Sequence, residues 1–306
     1  MSFLSIHNLK KSYAKTVALR GIDLQIEKGK IVGLIGPDGA GKTTTMRIIC
    51  GLIDPDSGTG SYEAINLFGD RRGLNARIGY MPQNFSLYPD LTVEENLRFY
   101  ADLFKVRGEQ FRTKRDRLYA FSQLGPFHDR RSGALSGGMK QKLALSCALM
   151  RDPELLILDE PTTGVDPLSR RQFWELLFQL RSTGVTILVA TPYMDEASKA
   201  DKVYFLAQGE IIAHGTPEEI SRSYVGSVYE LPRQLSNEQI EVINRQQGLR
   251  ARRFGASVHI AFEPMQSVSA HHNNLEQVGI RVQELHQVSP SLEDRFLQLI
   301  QQEQIA

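Results

Sequence analysis

The spacing of apolar positions changes several times along the chain. The opening segments alternate: "SFLSIHNL" and "LRGIDLQIE" read as short strands, and "KIVGLIG" as a buried one. "GKTTTMRIICGLI" then takes helical spacing and ends near the turn cluster "DPDSG". "RIGYMPQ" is a further short strand. "TVEENLRFYADLFKV" predicts a helix with Thr92 as N-cap and Glu95 three residues on, the pattern of a capping box. "RTKRDRLYAFSQLG" and "SGGMKQKLALSCALMRD" predict two more helices. "LLILDEP" and "VTILVAT" are continuous apolar runs, the mark of strands covered on both faces. Between them "SRRQFWELLFQLRSTG" reads as a helix ending at Gly184, and "DKVYFLAQGEIIAHG" reads as a hairpin. Strand and helix alternate to about residue 220, which predicts an α/β fold built on a mainly parallel sheet.

The pattern changes after about residue 225. Gln and Ser rise and the long buried strands stop. "SVYELP", "SNEQIEVINRQQG", "SVHIAFE", "SAHHNNLEQVG", "IRVQELHQV" and "SLEDRFLQLIQQEQ" alternate strand and helix, as a small α+β appendage would. The expected division is therefore 1–224 and 225–306. No internal repeat or low-complexity tract is evident.

Composition narrows this little. The 306 residues are 41% hydrophobic and 23% charged, enough for a large core in one to three domains. The net charge of +1 gives no reason to expect nucleic acid or an anionic membrane as partner. The two cysteines, Cys50 and Cys147, lie in apolar-periodic segments and read as buried reduced thiols of an intracellular protein, not as a disulfide framework. No apolar run approaches the ~20 residues of a spanning helix, and "MSFLSIHNLKKSY" lacks the long apolar core of a secretory signal. Work at a membrane would require another chain, or another part of a longer one, to supply the span.

The chemistry begins at Gly36. "GPDGAGKTT", comprising Gly36, Pro37, Asp38, Gly39, Ala40, Gly41, Lys42, Thr43 and Thr44, matches G-x-x-x-x-G-K-[ST] between a predicted strand and a predicted helix. The glycines let backbone N–H groups curl around an anion, and the helix directs its positive end at the same point. Lys42 is expected on the β- and γ-phosphates, Thr43 on Mg²⁺, and Thr44 on another phosphate oxygen. This loop alone implies a nucleoside triphosphate but no particular use of it. "LLILDEP" adds Asp159 and Glu160 at the carboxyl end of a buried strand. There Asp159 is placed to hold Mg²⁺, directly or through water, and Glu160 to polarise an attacking water as general base. "LSGGM" opens the next strong helix. Ser136, Gly137 and Gly138 leave backbone N–H groups bare at its start, a second anion site. Two such sites on one triphosphate suit two chains packed head to tail, each closing on the nucleotide held by the other.

The phosphate loop, "LSGG", "ILDEP" and "GVDP", in this order, resemble the ATP-binding cassettes of ABC transporters over roughly residues 3 to 220. The resemblance implies an ABC ATPase cassette with a helical subdomain at about 84–150, binding ATP with Mg²⁺. It implies that Tyr13 in "KSYAKTVAL" stacks on adenine. It implies that Gln83 in "YMPQ" contacts Mg²⁺ or the lytic water and senses a membrane partner. Asp166 in "GVDP" would belong to the loop that crosses the dimer interface. "YMPQNFSLYPDLTVEENLRFYADLF" and "PSLEDRFLQLI" are similar to cassettes of daunorubicin-type and multidrug exporters, including those with two cassettes in one chain. The implied partners are an integral-membrane permease and a second cassette, with no nucleic acid, at the cytoplasmic face of the plasma (inner) membrane.

Three positions depart from the family pattern. Asp38 stands where Asn is usual, and Met139 replaces the usual Gln of the signature. The third lies in "TPYMDEA", which reads locally as a strand end, a capping Thr191 and Pro192 at the first helical position. The family usually has a histidine just before "YMDEA" to hydrogen-bond the γ-phosphate; here Pro192 offers no donor. His214, in a predicted hairpin, does not substitute, and the adjacent His271 and His272 would point apart on a helix. The leading expectation is an energising subunit of an exporter of drugs or other hydrophobic compounds. The alternatives are a soluble ABC ATPase acting on ribosomes or another macromolecular partner, and a slowly hydrolysing ATP-gated scaffold.

Overall fold

The alternating opening segments form β1 (Leu4–Tyr13) and β2 (Thr16–Ile26), and the apolar run after them forms β3 (Ile31–Ile35), which leads into helix α1 (Lys42–Ile49). β4 (Ser57–Tyr62) and β5 (Ile65–Asn66) follow. They join β1 and β2 in an antiparallel sheet of order β2-β1-β4-β5. The protein is described by a computed structural model covering residues 3–69, 73–84, 87–264, 266, 268 and 271–305. It divides into two compact units, Met1–Thr216 and Pro217–Ala306.

The first unit continues with β6 (Ile78–Met81), α2 (Val93–Leu103), α3 (Gly108–Ser122), α4 (Gly137–Ala148), β7 (Leu155–Asp159), α5 (Pro167–Ser182), β8 (Thr186–Thr191), α6 (Met194–Ala197), β9 (Lys202–Ala207) and β10 (Glu210–Gly215). Its second sheet runs β10-β9-β3-β8-β7-β6 and is parallel except for the β9–β10 hairpin. Every residue of β3, β7 and β8 is buried, as their unbroken apolar runs predict. The parallel strands point their carboxyl ends the same way, so the loops after β3, β6, β7 and β8 gather at one edge, where open α/β sheets bind ligands. Thr92 caps α2 through the full capping box with Glu95. Among the described residues no helix is long and apolar enough to cross a membrane.

Two local readings are corrected. Ser57–Tyr62, which reads as the tail of a turn cluster, is a strand: only Tyr62 of the six is buried, and pairing with β1 (Leu4 opposite Tyr62) decides the conformation. Pro192 is not the first helical residue. α6 begins at Met194 with Tyr193 as N-cap, and Thr191 is the last residue of β8. The Thr191 hydroxyl accepts from the Tyr193 N–H at 3.1 Å, so it caps a turn that precedes the helix. Both cysteines are free, with Cys147 buried and Cys50 half-buried.

The second unit holds α7 (Pro217–Arg222), β11 (Ser227–Leu231), α8 (Asn237–Asn244), β12 (Leu249–Phe254), β13 (Ser257–Phe262), α9 (His272–Gln277), β14 (His286–Val288) and α10 (Leu292–Ile305). Its antiparallel sheet, of order β12-β13-β11-β14, packs Leu249, Val258, Ile260 and Phe262 with Ile243 and Leu275 in a separate core. β12, "LRARRF", escapes the apolar pattern because its inward positions are only Leu249 and Ala251. Beside this core Asp294 is buried between Arg252 (2.6 Å) and His259 (3.2 Å), and Phe254 stacks on His259 with ring centroids 4.0 Å apart. His271 and His272 make separate contacts, with Gln266 and Glu276.

Candidate nucleotide site

The loop between β3 and α1 turns at Gly41, whose φ of 110° is left-handed and whose added Cβ would stand 2.7 Å from the Ala18 carbonyl oxygen. Only glycine takes both constraints at low cost. Gly41 is also the N-cap of α1, so the first N–H groups of that helix face the loop. Lys42 folds back over the loop. Its Nζ donates to the carbonyls of Gly36 (2.9 Å) and Pro37 (3.1 Å) and lies 3.2 Å from Glu160 Oε1. An ammonium group that is 4% exposed is thus aimed at the centre of the turn by three oxygens.

The opposite wall is the end of β7. Asp159 Oδ1 accepts from the Thr43 hydroxyl at 3.0 Å, and the Tyr80 hydroxyl approaches Oδ2 at 3.5 Å. Burial pushes the Asp159 carboxyl above its usual range, the Thr43 hydrogen bond pulls it back, and the Glu160 charge raises it further. Burial, helped by the charge of Asp159, also pushes Tyr80 up to about 12. Glu160 itself has φ 50°, a left-handed backbone unusual for a residue with a Cβ, which turns its side chain away from the strand direction. Its Oε2 accepts from Gln83 Nε2 (3.0 Å) and from the Thr163 hydroxyl (3.3 Å), while Oε1 faces Lys42. Thr163 is a site residue the motif reading does not single out; the only sequence signal is a hydroxyl three positions after the acid.

These groups surround an open cleft of about 510 Å³ lined by Asp38, Gly39, Ala40, Gly41, Lys42, Thr43, Thr44, Gln83, Glu160 and Thr163, with Ala18 of β2 and with Pro192 and Tyr193 from the end of β8. Gly36 and Pro37 contribute the carbonyls under Lys42, and Asp159 lies behind Thr43. The end of β8 is fixed by Glu196, fully buried, which accepts from Thr162 (2.6 Å) and Thr191 (2.7 Å). Arg170 of α5 lies 3.6 Å from the same carboxylate and stacks on the Tyr193 ring at 4.0 Å.

The remaining predicted residues lie elsewhere on the unit. Ser136 is the N-cap of α4, accepting from the Met139 N–H at 3.3 Å, and Gly137 and Gly138 open the helix. An added Cβ at Gly138 would stand 2.5 Å from Ser169 Oγ, so α4 and α5 pack at a distance only glycine permits. Asp166 caps α5 by accepting from the Ser169 N–H at 2.9 Å, and that hydrogen bond holds its carboxyl below the usual range. None of these four lines the phosphate cleft. Tyr13, at the end of β1 and 43% exposed, does not line it either; Lys11 Nζ lies 5.7 Å from its ring centroid.

An N–H cradle with a lysine, facing a strand-end carboxylate pair across one cleft, defines a P-loop nucleoside triphosphatase. Comparison with known proteins narrows the class. A family model described as ABC transporter matches residues 19–163. The chain is 39% identical over 291 residues to the probable multidrug ABC transporter ATP-binding protein YbhF of Escherichia coli (strain K12), covering 92% of this chain and 49% of that protein. It is 38% identical over 224 residues to the Nod factor export ATP-binding protein I of Burkholderia orbicola, covering 73% and 74%. Among solved structures it matches an ATP-binding subunit of an ABC transporter at 30% identity and TM-score 0.64, covering 72% of this chain and 92% of that one. It also matches a dimeric ATP-binding cassette in a post-hydrolysis state with ADP and Pi, at 28% identity and TM-score 0.63 over 70% and 98%. The chain belongs to the ATP-binding proteins of ABC transporters, and its first unit carries the ATPase cassette. It spans about half the length (49%) of the Escherichia coli relative.

Proposed function

We propose that the chain binds and hydrolyses ATP to energise a membrane exporter of drugs or other hydrophobic compounds. The observation that carries this reading is the cleft itself, in which Lys42, Thr43 and the phosphate loop face Asp159, Glu160 and Gln83. Backbone N–H groups of the loop bind the phosphates, with Lys42 on the β- and γ-phosphates and Thr44 on a further oxygen. Glu160 serves as general base toward a water that Gln83 helps to orient. Tyr13 stacks on the adenine.

The side chains fit a magnesium ion. Thr43, Asp159 and Gln83 present oxygen donors, the set a small hard cation prefers, and a buried carboxylate with a raised pKa is one whose charge such a cation would compensate. When bound, Mg²⁺ would neutralise phosphate charge. The chain's own residues hold the phosphates and aim the base.

The partners follow from the same reading. Ser136, Gly137, Gly138 and Asp166 lie outside this chain's own cleft, which supports a role on the nucleotide of a second cassette, identical or paired. Residues 1–224 act as the cassette, with α2–α4 as its helical subdomain, and 225–306 as an accessory domain. A permease is the other partner, at the cytoplasmic face of the inner membrane. The exposed Tyr88, Phe99 and Leu103 and a cavity of about 290 Å³ beside Gln83, Lys140 and Gln141 support docking on the helical side. The name of the Escherichia coli relative, probable multidrug, supports the substrate class.

ATP-dependent copurification with an integral-membrane protein tests the proposal. Recovery of that partner with the native chain and its loss with Lys42→Ala is the expected result. Nucleotide-dependent association with ribosomes and no membrane partner would favour the soluble ATPase.

A further inference from the structure

Two residues of the β8–α6 junction line the cleft, Pro192 and Tyr193, and neither Pro192 nor the preceding Thr191 has a donor available to a ligand. The Thr191 hydroxyl is committed twice, donating to Glu196 at 2.7 Å and accepting from the Tyr193 N–H at 3.1 Å. Pro192 has no donor. Tyr193 lines the same cleft as Lys42, Gln83 and Glu160, and among the described residues its hydroxyl makes no hydrogen bond. Its ring is held by Arg170, whose guanidinium lies 4.0 Å from the ring centroid. Arg170 is fixed in turn by Glu196 (3.6 Å) and Asp195 (3.7 Å), and Glu196 by the two threonines. The arrangement clamps an aromatic ring in the wall of the cleft that also holds the phosphate loop.

We propose that the Tyr193 hydroxyl donates a hydrogen bond to the terminal phosphate of bound ATP, and that Arg170 is the positioning residue that aims it. This rests on the reading of the cleft as the ATP site. The group is placed to distinguish triphosphate from diphosphate, because ADP has no oxygen where the terminal phosphate of ATP sits. Arginine suits the positioning role because a planar guanidinium stacks on an aromatic face while its N–H groups meet carboxylates; lysine cannot do both.

The test measures ATP and ADP dissociation constants for the full 306-residue chain carrying Glu160→Gln, so that ATP persists. Tyr193→Phe removes the hydroxyl and keeps the stacked ring. A hydrogen bond to a charged acceptor predicts about a tenfold weaker ATP affinity, with ADP affinity and melting temperature unchanged. In the Glu160 background of the native chain, kcat falls by a similar factor. Tyr193→His, which keeps a ring and a donor, restores part of the preference for ATP, and Arg170→Lys reduces that preference with Tyr193 intact. Failure of the parent chain to bind ATP overturns the reading of the cleft and this inference together. ATP binding with an ATP-to-ADP preference untouched by Tyr193→Phe overturns the inference alone.

Discussion

Lys42 and Glu160 form a buried ion pair, Nζ to Oε1 3.2 Å, between the phosphate loop and the end of β7. The cation proposed to bind phosphate and the carboxylate proposed as the base thus hold one another. On the proposed function, a triphosphate would compete with Glu160 for Lys42, and Gln83 and Thr163 would still hold the carboxylate. Lys42→Ala is expected to abolish nucleotide binding. It also strands a nearly buried carboxylate, at a cost of about 3 kcal/mol. Equilibrium binding and urea unfolding of the variant report the two losses separately, and native stability in Lys42→Ala would show that the pair contributes nothing to the fold.

Glu160→Gln keeps the shape of the side chain and its place beside Lys42 but removes the proposed base. Hydrolysis should fall by about 10²–10⁴ while ATP binding persists, and an ATP-bound dimer should accumulate. Single-turnover assays and gel filtration with ATP measure both, and normal turnover refutes the assignment of the base.

Asp159 is costly to ionise where it stands, since burial raises its pKa. An acid whose folded pKa lies above its unfolded value of about 3.9 stabilises the fold only when protonated, and that contribution is lost as pH rises. Asp159→Asn removes the penalty and keeps an acceptor for Thr43. The nucleotide-free variant should melt no lower than the native chain at pH 7, yet lose magnesium-dependent ATP hydrolysis. A marked drop in melting temperature would show that the Asp159 charge is not a burden on the fold.

Gly138→Ala drives a methyl group to within 2.5 Å of Ser169 Oγ and 2.6 Å of its Cβ. Overpacking of this kind costs about 1–3 kcal/mol and would displace α4 from α5. The expected outcome is a lower melting temperature and impaired ATPase activity, both recovered in part by Ser169→Gly. A native melting temperature in the single variant would mean that the helices part without cost.

The second unit has its own acid. Burial raises the Asp294 carboxyl, but hydrogen bonds from His259 and Ser291 and the charge of Arg252 outweigh it and hold the pKa far below the usual range. The ionised form is therefore favoured by folding. Its contribution is complete above the unfolded pKa of about 3.9 and declines as the pH falls toward the folded value. Calorimetry of Asp294→Asn should show a loss of about 3 kcal/mol at pH 7 that narrows below about pH 4. A loss independent of pH would assign the effect to packing.

The parts legible in the sequence are those where a local pattern and its chemistry coincide. The strand, glycine turn and helix around Lys42 are contiguous, and Thr92 and Glu95 make their capping box within one turn. The apolar run of β7 announces its own burial and places Asp159 at its end. What escaped depends on distant partners. β4 is a strand because β1 needs a neighbour, although "SGTGSY" has one large apolar residue. β12 hides its alternation behind arginines. Pro192 suggests a helix start, but the Thr191 hydroxyl takes the Tyr193 N–H and delays the helix to Met194. Thr163 has no motif, since its role needs Glu160 to turn back on a left-handed backbone.

Glu196 fastens the tips of β7 and β8 through Thr162 and Thr191, and the proline between that clasp and the cleft takes no part in it. The position where chemistry can vary is thereby insulated from those that hold the loop in place. A substitution at residue 192 removes none of the hydrogen bonds of that clasp. The junction is thus a replaceable tool tip on a fixed handle, open to change by single substitutions while the cassette around it stays the same.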